Sequence, residues 1–134
     1  MYVDWSEDLS VGVKEIDQQH KRFIVIMNDL YEALENQDER IVLGDIITQL
    51  AAYANYHFLT EEKYMDEYDY EDTAEHKREH QALRDDIAVF GEKYQQNEEK
   101  YAQELLHFVK NWLSHHLLEI DKKYTKCFNE HGLY

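Results

Sequence analysis

The sequence predicts an all-α protein that folds as an antiparallel, up-down-up-down four-helix bundle. Proline is absent from the 134 residues and glycine occurs four times, so the strongest helix breakers hardly interrupt the chain. Four long segments carry apolar residues at steps of three or four, the spacing of one helix face. The stretches between them are short, which favours antiparallel neighbours. We therefore predict one domain over residues 1–134, with an N-terminal arm over 1–16 and a short C-terminal tail over about 125–134.

Each of the four predicted helices has a stripe that is apolar except for histidine and glutamate. The first helix, over about 17–35, follows Ile16 with His20, Phe23, Met27 and Leu34. The second, over about 39–65, carries Leu43, Ile47, Leu50, Ala54, His57, Glu61 and Met65. The third, over about 73–94, carries His76, His80, Leu83, Ile87, Phe90 and Tyr94. The fourth, over about 98–121, carries Leu105, Val109, Trp112, Leu113, His116 and Ile120. Asp38 and Asp72 are suited to cap the second and third helices, because aspartate accepts bonds from the free N–H groups of a first turn.

The charge balance argues against two classes of partner. The chain has 14 Lys and Arg against 29 Asp and Glu, a formal net charge of −15. A nucleic-acid binder needs a basic face, and a membrane-surface protein of the polybasic kind needs clustered cations. No apolar run approaches the roughly 18–20 residues that a membrane span requires. One cysteine, Cys127, permits no disulfide within the chain. We expect a cytoplasmic monomer that binds no nucleic acid and does not insert into membranes.

Five histidines and one glutamate lie on stripes that should be buried. A buried imidazole or carboxylate is costly unless it is paired, hydrogen-bonded or bound to metal. A lone core histidine is usually satisfied by a carbonyl group. Five of them without a shared partner would impose a large penalty on a protein of this size. We therefore predict a metal centre inside the bundle.

The spacing of these residues supports that prediction. His57 and Glu61 are four residues apart, and so are His76 and His80. Residues at this spacing lie on one helix face with Cβ atoms about 5–6 Å apart, so both side chains can reach one cation or two adjacent ones. Either pair alone is common on solvated helices. Two pairs on inward stripes, with an inward histidine on each of the other helices, indicate metal.

The fourth helix offers two candidate ligands, His115 and His116. His116 continues the apolar stripe, whereas His115 lies on a mostly polar face, where it would pair with Glu119. We select His116. Its matching carboxylate is Asp121, five residues on, which an α-helix turns by about 140° from His116. Spacing alone does not nominate Asp121, which must approach the centre from its edge, where the helix end loosens.

The set of residues resembles the hemerythrin family, most closely its stand-alone bacterial type. The family order is His, His-x3-Glu, His-x3-His and His-x4-Asp, with one element on each helix. In that order this sequence has His20, His57, Glu61, His76, His80, His116 and Asp121. Residues 17–21, 57–62 and 112–124 also match the family's contexts, and the resemblance covers essentially the whole chain.

This resemblance implies a non-haem di-iron centre that binds O2 reversibly and is bridged by oxo or hydroxo. The implied ligands are His76, His80 and His116 to one iron, His20 and His57 to the other, and Glu61 and Asp121 as bridges. The two-histidine iron is then one ligand short, and O2 would bind there. Imidazole suits iron, zinc, copper and nickel, but structural zinc takes four ligands and leaves no open position. Di-iron oxygenases on bundles carry more carboxylates, with Glu-x-x-His motifs.

Three apolar residues are candidates for the wall of an O2 pocket, because each adjoins a predicted ligand or lies one turn from it. They are Leu113, Phe58 and Ile24. Leu113 is our first choice, although a core role alone would also place leucine there. Six tyrosines are candidates for hydrogen bonds to the ligands: Tyr53, Tyr56, Tyr64, Tyr68, Tyr70 and Tyr124.

Several functions remain open at this stage. The leading one is an O2 carrier or store, a binding protein without catalytic residues that supplies an O2-consuming enzyme or accepts electrons from a reductase. An O2 or redox sensor is the second. A di-iron oxidase, peroxidase or NO-handling enzyme is the third. Iron storage would need many irons per chain, and seven ligands limit this chain to two.

Overall fold

The computed structural model describes residues 3–36, 39–95 and 101–134. Its long helices are α1 (Lys14–Glu35), α2 (Glu39–Glu67), α3 (Thr73–Gln95) and α4 (Tyr101–Asn111). α4 continues as a π-helix (Trp112–Ile120) and a 3-10 turn (Asp121–Tyr124), which lead into the short helix α5 (Thr125–Glu130). A second 3-10 turn, Glu7–Leu9, lies in the N-terminal arm. The prediction of an all-α four-helix bundle is confirmed, and within the described ranges no helix has the length and apolar character to cross a membrane.

The helices pack in antiparallel pairs, as their side-chain contacts show. Residue numbers rise along one helix while they fall along its neighbour. The contacts are Glu15 with Tyr64 and Arg22 with Gln49 for α1 and α2, Asp66 with Lys77 and Glu62 with Arg84 for α2 and α3, and Glu104 with Lys93 and His115 with Glu79 for α3 and α4 with its π-helical continuation.

Two apolar clusters form the core. The main cluster lies between the four long helices and includes Phe23, Leu30, Leu50, Phe58, Leu105, Val109 and Trp112. The second cluster joins the arm, the end of α2 and α5 through Val11, Val13, Ile16, Met65, Tyr70, Tyr124 and Phe128. Phe58 of the main cluster stacks on His80, and Tyr124 of the second cluster stacks on His76. The predicted ligands therefore lie between the two clusters.

The helix ends differ in part from the predicted ones. α1 begins at Lys14 and not at 17, because the Asp17 side chain reaches back to accept hydrogen bonds from the Val11 N–H (2.9 Å) and the Ser10 hydroxyl (2.5 Å). The tail contains α5. Asp72 directly precedes α3, and its carbonyl accepts a bond from the His76 N–H at 2.9 Å. Asp38 and the predicted start of the fourth helix at 98 lie outside the described residues.

The N-terminal arm is held against α5 at Gly12. The Thr125 hydroxyl donates to the Val11 carbonyl at 2.5 Å, and the Asn129 amide donates to the Gly12 carbonyl at 3.1 Å. Gly12 has a φ of +75°, and a Cβ atom there would lie 2.8 Å from Cγ2 of Thr125. Both the backbone conformation and the close approach of α5 therefore require glycine.

A left-handed backbone costs a residue with a Cβ atom about 1–2 kcal/mol. Gly12→Ala should lower the free energy of unfolding by more than this amount. The excess comes from the collision with Thr125. Gly132→Ala is the matched control, because Gly132 also has a positive φ (+87°) but no atom within 4 Å of the added Cβ. Urea denaturation of both variants measures the difference. Equal losses would contradict the close approach.

Candidate metal centre

The seven side chains that the sequence predicts as ligands lie together at the buried centre of the bundle. They come from five elements: His20 from α1, His57 and Glu61 from α2, His76 and His80 from α3, His116 from the π-helix, and Asp121 from the 3-10 turn. Each residue is at most 2% exposed. All four long helices of the bundle, the fourth through its π-helical continuation, thus contribute to one polar cluster that is closed to bulk solvent.

The cluster divides into two groups that share their carboxylates. The three-histidine group consists of Glu61, His76, His80, His116 and Asp121. The two-histidine group consists of His20, His57, Glu61 and Asp121. Within each group, one nitrogen or oxygen atom of every member lies within 4.8 Å of those of the others. This arrangement suits two neighbouring cations with two carboxylates between them.

Asp121 faces both groups with different oxygens. Its Oδ2 lies 3.1 Å from Nε2 of His20. Its Oδ1 lies 2.9 Å from Nε2 of His76 and 3.1 Å from Nε2 of His116. A carboxylate with one oxygen toward each group has the geometry of a bridge.

Glu61 also contacts both groups, through a single oxygen. Its Oε1 lies 3.0 Å from Nε2 of His80 and 3.3 Å from Nε2 of His57. The other oxygen, Oε2, accepts a hydrogen bond of 2.5 Å from the hydroxyl of the fully buried Tyr124. Tyr124 therefore fixes the orientation in which Glu61 presents Oε1 to the histidines.

The nitrogen and oxygen atoms that converge at the centre are suited to bind cations. Within the part of the chain that the structure describes, several of these buried atoms have no hydrogen-bond partner: Glu61 Oε1, Asp121 Oδ1, and Nε2 of His76, His80 and His116. The N···O distances between these atoms are short, but the angles between the groups do not meet the requirements of a hydrogen bond. A buried polar atom without a partner costs about 1–3 kcal/mol, so such a concentration needs an explanation. Metal ions at the centre would supply the missing partner, and imidazole with carboxylate suits iron.

The π-helix brings Asp121 to the centre. The backbone N–H of Asp121 donates to the carbonyl of His116, a bond between residues five apart. This wider winding places the two side chains on one face, whereas a regular α-helix would separate them by about 140°. The predicted loosening of the helix at this end is a π-helix over Trp112–Ile120.

The two adjacent histidines of this segment point in opposite directions. His116 is 2% exposed and belongs to the cluster. The His115 side chain is 61% exposed and lies 3.4 Å from Glu79 and 3.5 Å from Glu119. The structure therefore puts the histidine of the apolar stripe inside and its neighbour at the surface.

Charge pairing overcomes burial at both carboxylates. Burial favours the neutral acid at Asp121, but His116, His20 and His57 hold its pKa well below the usual value. Burial and Asp121 would raise the pKa of Glu61, yet the neighbouring histidines lower it overall. The metal-free centre thus keeps its carboxylates ionised.

The histidines divide according to which influence is stronger. Burial lowers the pKa of His57, and the carboxylates do not fully offset it. At His80, burial is outweighed by the nearby Glu61 carboxylate and by the hydrogen bond to Glu62, which together raise the pKa. At His116, burial is outweighed by Asp121, and the pKa is again raised. In the metal-free protein, His80 and His116 therefore keep their second proton to a higher pH than an ordinary histidine does, because their pKa values are raised.

Sequence analysis did not identify two residues that contact the predicted ligands. Gln19 Oε1 accepts a hydrogen bond of 2.6 Å from Nδ1 of His57, and Glu62 Oε2 accepts one of 2.7 Å from Nδ1 of His80. Their only signal was adjacency, since Gln19 precedes a predicted ligand and Glu62 follows one. Adjacent residues on a helix point about 100° apart, so adjacency alone did not assign them a contact.

The candidate tyrosines divide sharply. Tyr124 bonds to Glu61, and Tyr53 stacks on His57 with ring centres 5.2 Å apart. The other four lie elsewhere: Tyr56 is 66% exposed, Tyr64 donates to Glu15, Tyr68 stacks on Tyr64, and Tyr70 packs against Tyr124.

The three candidate pocket residues occupy different environments. Phe58 is fully buried and stacks on His80 at 4.0 Å, with the His57 ring 5.9 Å away. Ile24 is 4% exposed. Leu113 is partly buried and packs against the main apolar cluster. Their role in an O2 pocket stays a prediction, and Phe58 lies closer to the three-histidine group than its position beside His57 suggested.

Comparisons with known proteins agree with this fold and cluster. The family model of the hemerythrin HHE cation binding domain matches residues 11–127. The bacteriohemerythrin of Clostridium acetobutylicum is 35% identical over 124 residues, which cover 90% of this chain and 96% of that protein. The bacteriohemerythrin of Stenotrophomonas maltophilia is 32% identical, covering 95% and 82% respectively.

Solved structures give the same result. The crystal structure of a wild-type hemerythrin superimposes with a TM-score of 0.85 and 30% identity, covering 95% of this chain and 98% of that one. The crystal structure of a leucine-to-alanine mutant of hemerythrin gives a TM-score of 0.84 at 29% identity, covering 93% and 95%. The family model, the sequence relatives and the shared bundle together show that this chain belongs to the hemerythrin family.

Proposed function

We propose that this protein binds O2 reversibly at a di-iron centre and acts as a carrier or store of O2. The observation that carries the proposal is the unequal pair of buried groups, with three imidazoles in one, two in the other, and Glu61 and Asp121 in both. The similarity to curated bacteriohemerythrins over about nine-tenths of the chain supports it.

In this proposal the three-histidine group ligates one iron and the two-histidine group the other, with both carboxylates as bridges. Five histidines divide into three and two while both carboxylates are shared, so the two-histidine side has one ligand fewer. That side is where we propose that O2 has access. Ferrous iron, when bound, supplies the electrons that reversible O2 binding uses.

The chain's own contribution is to orient the ligands. Gln19 holds Nδ1 of His57, and its amide is itself oriented because its Nε2 donates to Thr60 Oγ1 at 3.1 Å. Tyr124 holds Glu61 through the hydrogen bond that its hydroxyl donates to Oε2. Ligands held in this way keep their places through changes of iron charge.

The chain also excludes water from the centre. Phe58, Trp112 and Leu117 are at most 2% exposed and belong to the apolar cluster beside the histidines. A groove between α1 and α2 brings solvent as far as Gln19 and Tyr53, both of which contact His57. We propose that a small apolar molecule such as O2 approaches the two-histidine group from this groove, past Gln19 and Tyr53.

We further propose that the protein is a cytoplasmic monomer. The net charge of −15 supports the monomer, because strong like charge opposes self-association. A sensor or a di-iron oxidase would use the same cluster, so the experiment below distinguishes these functions from a carrier.

Iron-loaded protein, reduced without air and then exposed to air, should develop a visible absorption band that disappears under vacuum. The cycle should repeat many times without added reductant, because a carrier returns O2 unchanged. Absorption spectra recorded through successive cycles measure this. A single passage to an oxidised spectrum that does not respond to vacuum would contradict the carrier proposal and favour a sensor or an oxidase.

His116→Ala should deplete the protein of iron, whereas His115→Ala should retain roughly two irons per chain, the number that the two groups allow. The pair is matched, since the residues are adjacent and the change is identical, but one is buried and the other exposed. Asp121→Ala should also lose iron, because both groups lose a member. Metal analysis after loading measures all three, and iron loss in His115→Ala alone would reverse the assignment.

Cation binding should weaken as the pH falls from about 8 to about 6. The raised pKa values of His80 and His116 mean that the metal-free protein holds protons there at the lower pH, and these must leave before metal binds. Titration with Co²⁺ at both pH values, with an indicator dye for released protons, measures the effect. Equal affinity and no proton release would contradict it.

A further inference from the structure

The two groups differ in the side chains that lie behind their histidines. In the three-histidine group, Nδ1 of His80 donates to a carboxylate oxygen of Glu62 at 2.7 Å. In the two-histidine group, Nδ1 of His57 donates to the amide oxygen of Gln19 at 2.6 Å. The bonds have almost the same length, but one acceptor belongs to an acidic side chain and the other to a neutral amide.

The surroundings of Glu62 hold it in this position. Its side chain is 16% exposed, and Nη2 of Arg84 lies 3.4 Å from the same oxygen that faces His80. The Arg84 guanidinium lies over the Phe58 ring at 5.1 Å, and Phe58 stacks on His80 at 4.0 Å. These three side chains therefore enclose the His80 ring on its Nδ1 edge and on one face.

His20 and His116 do not offset this difference. Nδ1 of His20 and Nδ1 of His116 are buried and have no hydrogen-bond partner among the described residues. The carboxylate nearest to Nδ1 of His116 belongs to Glu79, and it lies 3.9 Å away. The three-histidine group thus donates a direct hydrogen bond to a carboxylate through Nδ1 of His80.

The chemical consequence follows from the type of acceptor. An imidazole that donates Nδ1–H to a carboxylate is oriented by it and becomes a stronger base at Nε2, the atom that faces the metal. An amide orients the ring but carries no charge. Nε2 of His80 should therefore bind a cation more strongly than Nε2 of His57.

We propose that Glu62 is a positioning residue that acts through His80 to make the two metal positions unequal. It raises the cation affinity of the three-histidine group above that of the two-histidine group, so the three-histidine group fills first. This inference rests on the proposed di-iron centre and adds an order of filling to it.

The test is a titration of metal-free protein with Co²⁺, followed by absorption spectroscopy and calorimetry. The wild-type chain should bind two ions in two separate steps. Glu62→Gln keeps the shape of the side chain but removes the charge, and it should weaken the tighter step by about 10–100-fold while the weaker step stays unchanged. The thermal unfolding of the metal-free variant should match the wild type.

Two further variants test whether the effect depends on a carboxylate directly behind a histidine. Gln19→Glu places a carboxylate behind His57, so it should strengthen the weaker step and bring the two affinities closer together. Glu67→Gln is the charge-matched control, because Glu67 lies on the same helix but is exposed and remote from the histidines. It should leave both steps unchanged.

The outcomes separate this inference from the function on which it rests. A wild-type chain that binds fewer than two ions would overturn the proposed di-iron centre. Two wild-type steps with an unchanged tight step in Glu62→Gln would overturn the role of Glu62 alone. Equal weakening of both steps, or a loss of stability in the metal-free variant, would show a general structural effect and would also overturn that role.

Discussion

The burial of five imidazoles and two carboxylates around one shared space is the constraint on which the rest of the structure depends. Each of these groups would destabilise a bundle core on its own. Together they pair, so that imidazoles hold the carboxylates ionised and the carboxylates in turn favour protons on His80 and His116. Apolar clusters lie on both sides of this layer and keep it dry. The unpartnered atoms described above converge on the centre, and cations would satisfy them there.

The end of the fourth helix shows how the backbone adapts to this constraint. A regular α-helix cannot present His116 and Asp121 to the same point, and the π-helix between Trp112 and Ile120 resolves the conflict. The 3-10 turn that follows places Tyr124 three residues after Asp121, where its hydroxyl meets Glu61. One local change of winding therefore positions both a shared carboxylate and the hydrogen-bond donor that orients the other.

The two sides of the centre are unequal in number and in kind. One group has three imidazoles and the other two, and the side chains behind them are a carboxylate in one case and an amide in the other. A di-iron centre that binds O2 reversibly needs such inequality, because one iron must keep a position for the external ligand. The two metal positions already differ in the number of their histidines. We propose that Glu62 and Gln19 add a second difference, in cation affinity.

Local periodicity by itself determined the helices, their inward stripes and six of the seven cluster residues, since positions three or four apart must share a helix face. The seventh, Asp121, followed from family resemblance, because its five-residue spacing acquires a meaning only through π-helical winding. Tertiary structure alone decided that Phe58 stacks on His80, and that Gln19 and Glu62 reach the histidines. The Gln19 and Glu62 contacts join helices at positions 38 and 18 residues apart in the chain. Their existence depends on the register in which the helices pack, and no local pattern encodes that register.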